Sequence, residues 1–579
     1  MKNDMRMVAC GICWFAFAAT PLGLLTGTFL SHDVMPKTIL VLCAAAFLLL
    51  LLPQWSRGIG QLGATPRGRW FLWLTMAQGL LLVISTVFST QPLVSLAGTT
   101  WRRFGTVEQL AVLVIACCLA SCPVLPNDWL WRAVVACGGI ASVYGISQYF
   151  GFDPFLDRRL YAIDYLGGIV RPPATMGHAI YFAAYLAPVA VIGAWQAGEE
   201  TARGWRLAHA VVGVLASFAI LLSGSRGALL GLAGGGLVLI WFQRPSRKVV
   251  VAGAVAVVIV AFLVAFSPMG ASLRNRIKQW RGDPGSVRVA VWRESPVLIA
   301  KAPWLGSGPE TFAAAFRAVE SAELSRAYPD FINETPHNAF IDAACGEGLA
   351  GAAILVGVFL VALGGKGPSG LRAAMASILI CSLFASLSLV TAMYLWGIAG
   401  ISAAAEPPGR VARHAGGWQK RLTALGILAG VAFLVMAILL GVQDAAYADL
   451  GRAVDAKDLT GARRDLVRAT SFGVGMPGYE LWGSQQMAKL KAWSEATDAA
   501  ALAQSRGEDP FSAAYQTSIL DIVNGDAARA EAKASEAIGL APNWYKPHLL
   551  RAQILQAMGR QDEAAREARE SMNLGWKGK

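Results

Sequence analysis

Charge is scarce in this chain of 579 residues. Asp, Glu, Lys and Arg make up 15% of it, against roughly 25% in a soluble globular domain. Apolar residues make up 55%, and mean hydropathy is +0.48. That balance excludes a plain cytosolic enzyme and intrinsic disorder, and leaves a polytopic membrane protein. Nucleotide and metal signatures are missing as well. No Gly-x-x-x-x-Gly-Lys-[Ser/Thr] occurs, because Gly364-Gly365-Lys366-Gly367 has neither the spacing nor the hydroxyl, and there is no His-Glu-x-x-His. The sequence therefore offers no sign of an ATP-driven machine, and no metal or other cofactor is expected. The nine cysteines all lie in or beside apolar runs. Their distribution argues against disulfides and zinc and for small apolar core residues, and Cys10-x-x-Cys13 lacks the partner ligands of a zinc site.

What is abundant is apolar sequence in blocks. About thirteen stretches are long enough, or nearly so, to cross a bilayer as helices: 8–30, 35–53, 70–88, 107–125, 129–150, 178–196, 207–222, 227–242, 249–267, 338–363, 373–388, 389–405 and 422–441. Those near 207–242 and 373–405 are short, which admits a tilted or re-entrant element. The net charge of +13 would suggest nucleic acid in a soluble protein. Here its placement gives a different reading. Lys2 and Arg6, Arg57, Arg67 and Arg69, Arg203 and Arg206, Arg244, Arg247 and Lys248, Lys366 and Arg372, and Arg410, Arg413, Lys420 and Arg421 fall in alternate loops, as the positive-inside rule requires of cytoplasmic ones. The first apolar run is expected to be retained rather than cleaved as a signal peptide. The segments 89–106, 151–177 and 268–337, and everything after 441, then lie outside, periplasmic in a bacterial inner membrane.

The expected fold is accordingly all-α: a membrane bundle of about 12–13 spans over 1–441, with a long periplasmic loop at 268–337, and a periplasmic helical-repeat region over 442–579. In that last region Asp509-Pro510 and Ala541-Pro542 are 32 residues apart, and Gly525-Asp526 and Gly559-Arg560 are 34 apart. Helices are expected at Ala513–Val523, Ala527–Leu540, Tyr545–Met558 and Glu563–Met572. The period resembles tetratricopeptide repeats, with a degenerate earlier unit near 447–505, and points to a docking or packing module through which a protein partner could bind.

Ionisable residues on the outer side carry the chemistry. Arg171 precedes Pro172-Pro173-Ala174-Thr175-Met176-Gly177-His178, and Arg226 lies in Leu222-Ser-Gly-Ser-Arg-Gly227. Arg288 and Arg293 are in the long loop, and His337-Asn338 stand where that loop re-enters the membrane, with Glu347 about two and a half turns further on. Any one Arg at a boundary can simply snorkel to headgroups. Together they suit one reaction. Arg grips phosphate oxygens bidentately and neutralises a leaving diphosphate, while a near-neutral His can take a proton from an attacking hydroxyl. This points to glycosyl transfer from a lipid diphosphate.

Three blocks resemble the O-antigen ligase and O-antigen polymerase superfamily: Arg171–Leu186; Leu222–Gly227; and Pro303-Trp-Leu-Gly-Ser-Gly-Pro309 followed by His337-Asn338-Ala-Phe-Ile341 and Glu347-Gly348-Leu349 with Gly351. The resemblance covers about residues 70–405. It implies a metal-independent membrane glycosyltransferase that uses an undecaprenyl-diphosphate-linked glycan, with lipid A-core, a glycan or a protein as acceptor, in surface polysaccharide or lipopolysaccharide biosynthesis. By motif, His337 would be the base or acceptor-orienting residue and Arg171 and Arg288 would hold the diphosphate. Arg226, Arg293, Asn338, Glu347 and His178 are further binding candidates, as is Arg102 or Arg103 in Thr100-Trp-Arg-Arg-Phe-Gly105, with Arg103 the preferred one. Glu347 would orient His337 or pack a helix end. His178 is either a contact or a capping residue. Ile180 departs from the pattern, since many members carry Asn there. Two other readings stay open: a protein O-oligosaccharyltransferase of the same superfamily, and a transporter or flippase for lipid-linked glycans, which would want ionisable groups near mid-membrane.

Overall fold

In lipid a backbone must satisfy its own hydrogen bonds, so apolar runs of this length become helices. The computed structural model describes residues 2–122, 127–163, 169–266, 271, 274–275, 277–278, 286–364, 367–405, 418–471 and 478–578. The helices of the first half are α1 (Lys2–Ala19), α2 (Met35–Leu50), α3 (Leu52–Leu62), α4 (Pro66–Val87), α5 (Pro92–Ala97), α6 (Thr106–Ser121), α7 (Asn127–Tyr149), α8 (Ala179–Glu199), α9 (Arg203–Ser223), α10 (Arg226–Gln243) and α11 (Arg247–Phe266). The long loop contains α12 (Ser286–Lys301), α13 (Phe312–Arg317) and α14 (Ala322–Ala327). Beyond it run α15 (Ala339–Leu363), α16 (Ser369–Ser382), α17 (Leu389–Ala404) and α18 (Trp418–Asp455).

Each of the thirteen apolar stretches overlaps a helix, but the first is helical only to Leu22 rather than 30 and the one at 373–388 only to Ser382, and residues 123–125 lie outside the described residues; nor are they thirteen equivalent spans. Among the described residues eight helices are long and apolar enough to cross a membrane, or nine if α2 and α3, bent by 86°, count as one. Helices α6, α16 and α17 are shorter. At 1.5 Å per residue they reach only about 21–24 Å, short of a hydrocarbon core of about 30 Å. Helix α17 can be short because it does not meet lipid on any side: every residue from Leu389 to Gly400 is buried. It packs on α6, α15 and α4, and Tyr394 stacks on Phe17 with ring centroids 4.6 Å apart. The Gly231–Gly236 run is a packing surface. A Cβ on Gly231 would stand 2.4 Å from Cys381 Sγ, and one on Gly235 would stand 2.9 Å from the Ala373 carbonyl oxygen, so α10 and α16 approach closely.

One two-stranded hairpin interrupts the helices: β1 (Ala162–Ile163) pairs antiparallel with β2 (Ile169–Val170), in the register Ala162 to Val170. Helix α18 passes without a break across residue 441, from the last apolar stretch into the polar C-terminal region. There follow α19 (Leu459–Thr470), α20 (Tyr479–Lys489), α21 (Trp493–Ser505), α22 (Pro510–Val523), α23 (Ala527–Leu540), α24 (Tyr545–Ala557) and α25 (Gln561–Asn573), each packed on its sequence neighbours. The four helices expected in the last two units are present, within three residues at every end.

Candidate active site

Four elements meet on the face of the bundle that bears the long loop: the starts of α8 and α15, the loop before α6, and α12. The approach to α8 is pinned from several sides. The Arg171 N–H donates to the Tyr161 carbonyl across the hairpin (3.1 Å). The Ala174 N–H donates to Gln148 Oε1 (2.7 Å), and Lys37 Nζ donates to the Thr175 carbonyl (2.5 Å). Gly177 takes φ 70° and lies against Asp33, where a Cβ would meet Oδ2 at 1.7 Å unless that carboxylate moved, so glycine is strongly favoured there. This rigid run ends at His178, the N-cap of α8, whose Nδ1 accepts from the Ile180 N–H (3.2 Å). With Nδ1 accepting, the neutral ring carries its proton on Nε2.

His337 occupies the corresponding place before α15. Its φ of 50° puts a non-glycine residue in the left-handed region, a conformation that persists only where the surroundings fix it. They do so on both sides. Trp292 Nε1, on α12, donates to the Pro336 carbonyl (2.7 Å). Asn338 caps α15, its Oδ1 accepting from the Phe340 and Ile341 N–H groups (3.0 and 3.2 Å), and its Nδ2 donates to the Leu383 carbonyl (3.2 Å). Thr335 Oγ1 lies 3.4 Å from His337 Nδ1.

The cations gather around these two rings. Burial, then the charges of Arg288, Arg102 and Arg171, push His337 down from 6.5 to about 4. His178 is held low by its crowded surroundings first, then by Arg171, His337 and Arg288. Both imidazoles are therefore neutral at pH 7. The structure thus brings together Arg171, Arg288, His178, His337 and Asn338.

It also separates residues that the sequence grouped. Arg293 is five positions beyond Arg288, about 140° around α12, and is exposed, whereas Trp292, at i+4, shares the Arg288 side. Arg226 is on the same face of the bundle, exposed at the first turn of α10. Its motif forms the tight α9–α10 turn, with Gly224 left-handed at φ 64°. Arg103 departs from its expected binding role. It is fully buried with φ 44°, and its guanidinium lies over the Tyr479 ring of the C-terminal region (5.1 Å) and donates to the Ala97 and Gly98 carbonyls (3.3 and 3.4 Å).

Arg102 is the member of that tandem pair that faces the site. Its buried guanidinium pairs with Glu310 and with Asp342 Oδ2 (2.8 Å). Asp342 lies one turn into α15 from Asn338, and that spacing was the available signal for it. Glu347 does not orient His337; its Oε2 accepts from Gln78 Nε2 (2.7 Å). With Gln78, Arg102, Gln109, Glu310 and Asp342 on one hand and Phe104, Leu355 and Trp396 on the other, it lines a mixed polar and apolar cavity of about 60 Å³, room enough for water. The glycines beside it are architectural. Gly348, at φ 74°, breaks α15, and the Pro303–Pro309 motif docks into that break. Leu349 N–H donates to the Pro303 carbonyl (2.8 Å), and Ser307 and Gly308 N–H groups donate to the Cys345 and Gly346 carbonyls (2.9 Å each). A Cβ on Gly348 would stand 2.3 Å from the Trp304 carbonyl carbon. Among the described residues no three His, Cys, Asp or Glu side chains gather as a metal-ligand set.

Residues 211–356 are similar to the protein family described as O-Antigen ligase. The matched stretch runs from α9 through the long loop into α15, and so includes Arg226, Arg288, Arg293, His337, Asn338 and Glu347 but not Arg102, Arg171 or His178. No curated protein and no solved structure matches the chain. The match supports a multi-pass membrane protein with a glycan ligase or polymerase type of function, hence glycosyl transfer with lipid-linked glycan substrates.

Proposed function

We propose that this chain is a metal-independent glycosyltransferase of a bacterial inner membrane. It transfers or polymerises glycan from an undecaprenyl-diphosphate-linked donor on the periplasmic face, in surface polysaccharide biosynthesis. The observation that carries this reading is the convergence of Arg171 and Arg288 on two neutral imidazoles at the rim of a membrane bundle, with Arg102 beside His337, together with the O-Antigen ligase match over His337. Arg171 and Arg288 bind the donor diphosphate and neutralise the charge that builds on the leaving group. His337 accepts the proton of the attacking hydroxyl. In the empty site its low pKa makes it neutral but a weak base. The bound diphosphate offsets the surrounding Arg charge, which raises the imidazole toward the range where it accepts a proton effectively. Arg102, neutralised by Glu310 and Asp342, holds the start of α15 in place.

The test uses purified protein in detergent with undecaprenyl-diphosphate glycan, candidate acceptors and EDTA. Wild type is expected to release undecaprenyl diphosphate, and His337→Ala and Arg288→Ala are expected to lose that release while remaining folded. A glycosylated lipid A-core, a longer glycan or a glycosylated protein would name the acceptor. Absence of release with every donor, or full activity in both variants, would overturn the assignment and bring transport of lipid-linked glycan to the front.

A further inference from the structure

The C-terminal array is expected from its sequence to bind a partner, yet one edge of it is already occupied by the chain's own long loop. The contacts come from successive turns between hairpins. At the α21–α22 turn, Asp509 Oδ2 pairs with Arg317 Nη1 (2.5 Å), and the Arg317 guanidinium lies over the Phe511 ring (5.1 Å). Thirty-four residues after Asp509, at the α23–α24 turn, Asn543 Nδ2 donates to the Glu320 carbonyl (2.7 Å). Beside it Trp544 Nε1 donates to the Pro329 carbonyl (2.8 Å) and Tyr545 OH donates to Asp330 Oδ1 (2.7 Å). After α25, Gly575 at φ 106° lies against Arg326 and Pro329, where a Cβ would approach the Pro329 Cβ to 3.2 Å. Turn residues need only close a turn. Asn543 and Trp544 use their donors on loop backbone carbonyls, which require a partner when shielded from water.

The geometry points to the C-terminal array as an intramolecular brace that positions His337, with residues 317–330 of the long loop as its bound segment. This rests on the role proposed above for His337. Seven residues lead from Asp330 to His337. Trp292 and the Asn338 cap fix the far end of that stretch, and the array fixes the near end. The left-handed backbone at His337 is thus held between two anchors, and loss of either relaxes the ring away from its place among the arginines. Arg317, Asp509 and Trp544 act through the loop and are positioning residues.

The experiment uses the full chain. Arg317→Asp, Asp509→Arg, their double swap and Trp544→Phe are compared for kcat and donor KM in undecaprenyl diphosphate release, and for amide hydrogen exchange across 317–337. Each single charge variant is expected to lower kcat at least about tenfold, since a misplacement on the order of 1 Å can cost about a hundredfold. Donor KM is expected to stay within about twofold, because the diphosphate arginines are untouched. Exchange should quicken through 331–337, and the double swap should restore both kcat and protection. Trp544→Phe, which keeps an aromatic side chain, though a smaller one, and loses the N–H, guards against misfolding and should show the same kcat effect in smaller measure. Faster exchange confined to 317–330 with unchanged kcat would overturn the proposal, as would single variants indistinguishable from wild type. If wild type releases no undecaprenyl diphosphate, the transferase reading fails, while exchange at 331–337 in the same variants still decides the brace.

Discussion

Replacing Arg288 with Gln tests the electrostatic account of the site most directly. The His337 imidazole is held down from 6.5 to about 4. At about 1.4 kcal/mol per tenfold change, that is a bias of about 3 kcal/mol against the protonated ring. Burial is the first cause and Arg288 leads the cationic ones. Removing that charge while leaving the burial should move the titration upward, to between about 4 and 6.5, whereas Arg288→Lys keeps the charge and should leave it low. The assay is carbethoxylation of the His337 peptide by diethyl pyrocarbonate, followed by mass spectrometry across pH. The rate follows the neutral fraction and needs no turnover. A wild-type midpoint near 6.5, or one that Arg288→Gln does not move, would refute the reasoning. The sign carries over to stability. A ring whose folded pKa lies below its unfolded one contributes fully above about pH 6.5, and that contribution is lost as pH falls toward about 4.

Three further outcomes follow from the geometry. Trp292→Phe removes the N–H that holds the Pro336 carbonyl and should lower stability by about 1 kcal/mol, with kcat and kcat/KM falling by the same factor because donor binding is spared; equal kinetics to wild type would count against the clamp. Gly348→Ala places a Cβ 2.3 Å from the Trp304 backbone at φ 74° and should lower Tm sharply, while Gly236→Ala, with nothing within 4 Å, should be neutral or slightly stabilising; similar melting of the two would sink the account of the α15 break. His178→Asn keeps an N-cap acceptor and His178→Ala does not. Equal activity loss in both, with a stability loss of about 1 kcal/mol in Ala alone, would make His178 a substrate contact, whereas full activity in Asn would leave it a cap.

The helices were legible because hydropathy is a one-dimensional property, and each apolar stretch found its helix. Which stretches cross fully was less legible, since α17 is short for a three-dimensional reason: neighbouring helices, not lipid, enclose it. The candidate site shows the same division. His337, Arg171 and Arg288 stand at ends of elements, where a motif and a loop side suffice to place them. Arg102 and Arg103 are adjacent, and the left-handed backbone at Arg103 sends the two side chains to different places, which spacing cannot reveal. The motif admits two roles for Glu347, orienting His337 or packing a helix end, and spacing does not choose between them. The neighbouring Gly346 and Gly348 form the seat for residues 303–309, a pairing made across the intervening loop and visible only once the chain is folded.

Helix α18 has 38 residues, which gives a rod about 57 Å long at 1.5 Å per residue, nearly twice the thickness of a hydrocarbon core. Its first part packs along α2, and its last part carries the array, tied down where Tyr479 OH donates to Asp444 and contacts Ser31. Such a rod is a lever arm. A spanning helix answers a thicker or thinner bilayer by tilting, and a tilt of about 10° over the 14 residues beyond Gly441 swings the far end by about 4 Å. The array rides on that end, so the thickness of the surrounding lipid sets the load on the polar contacts at its far edge.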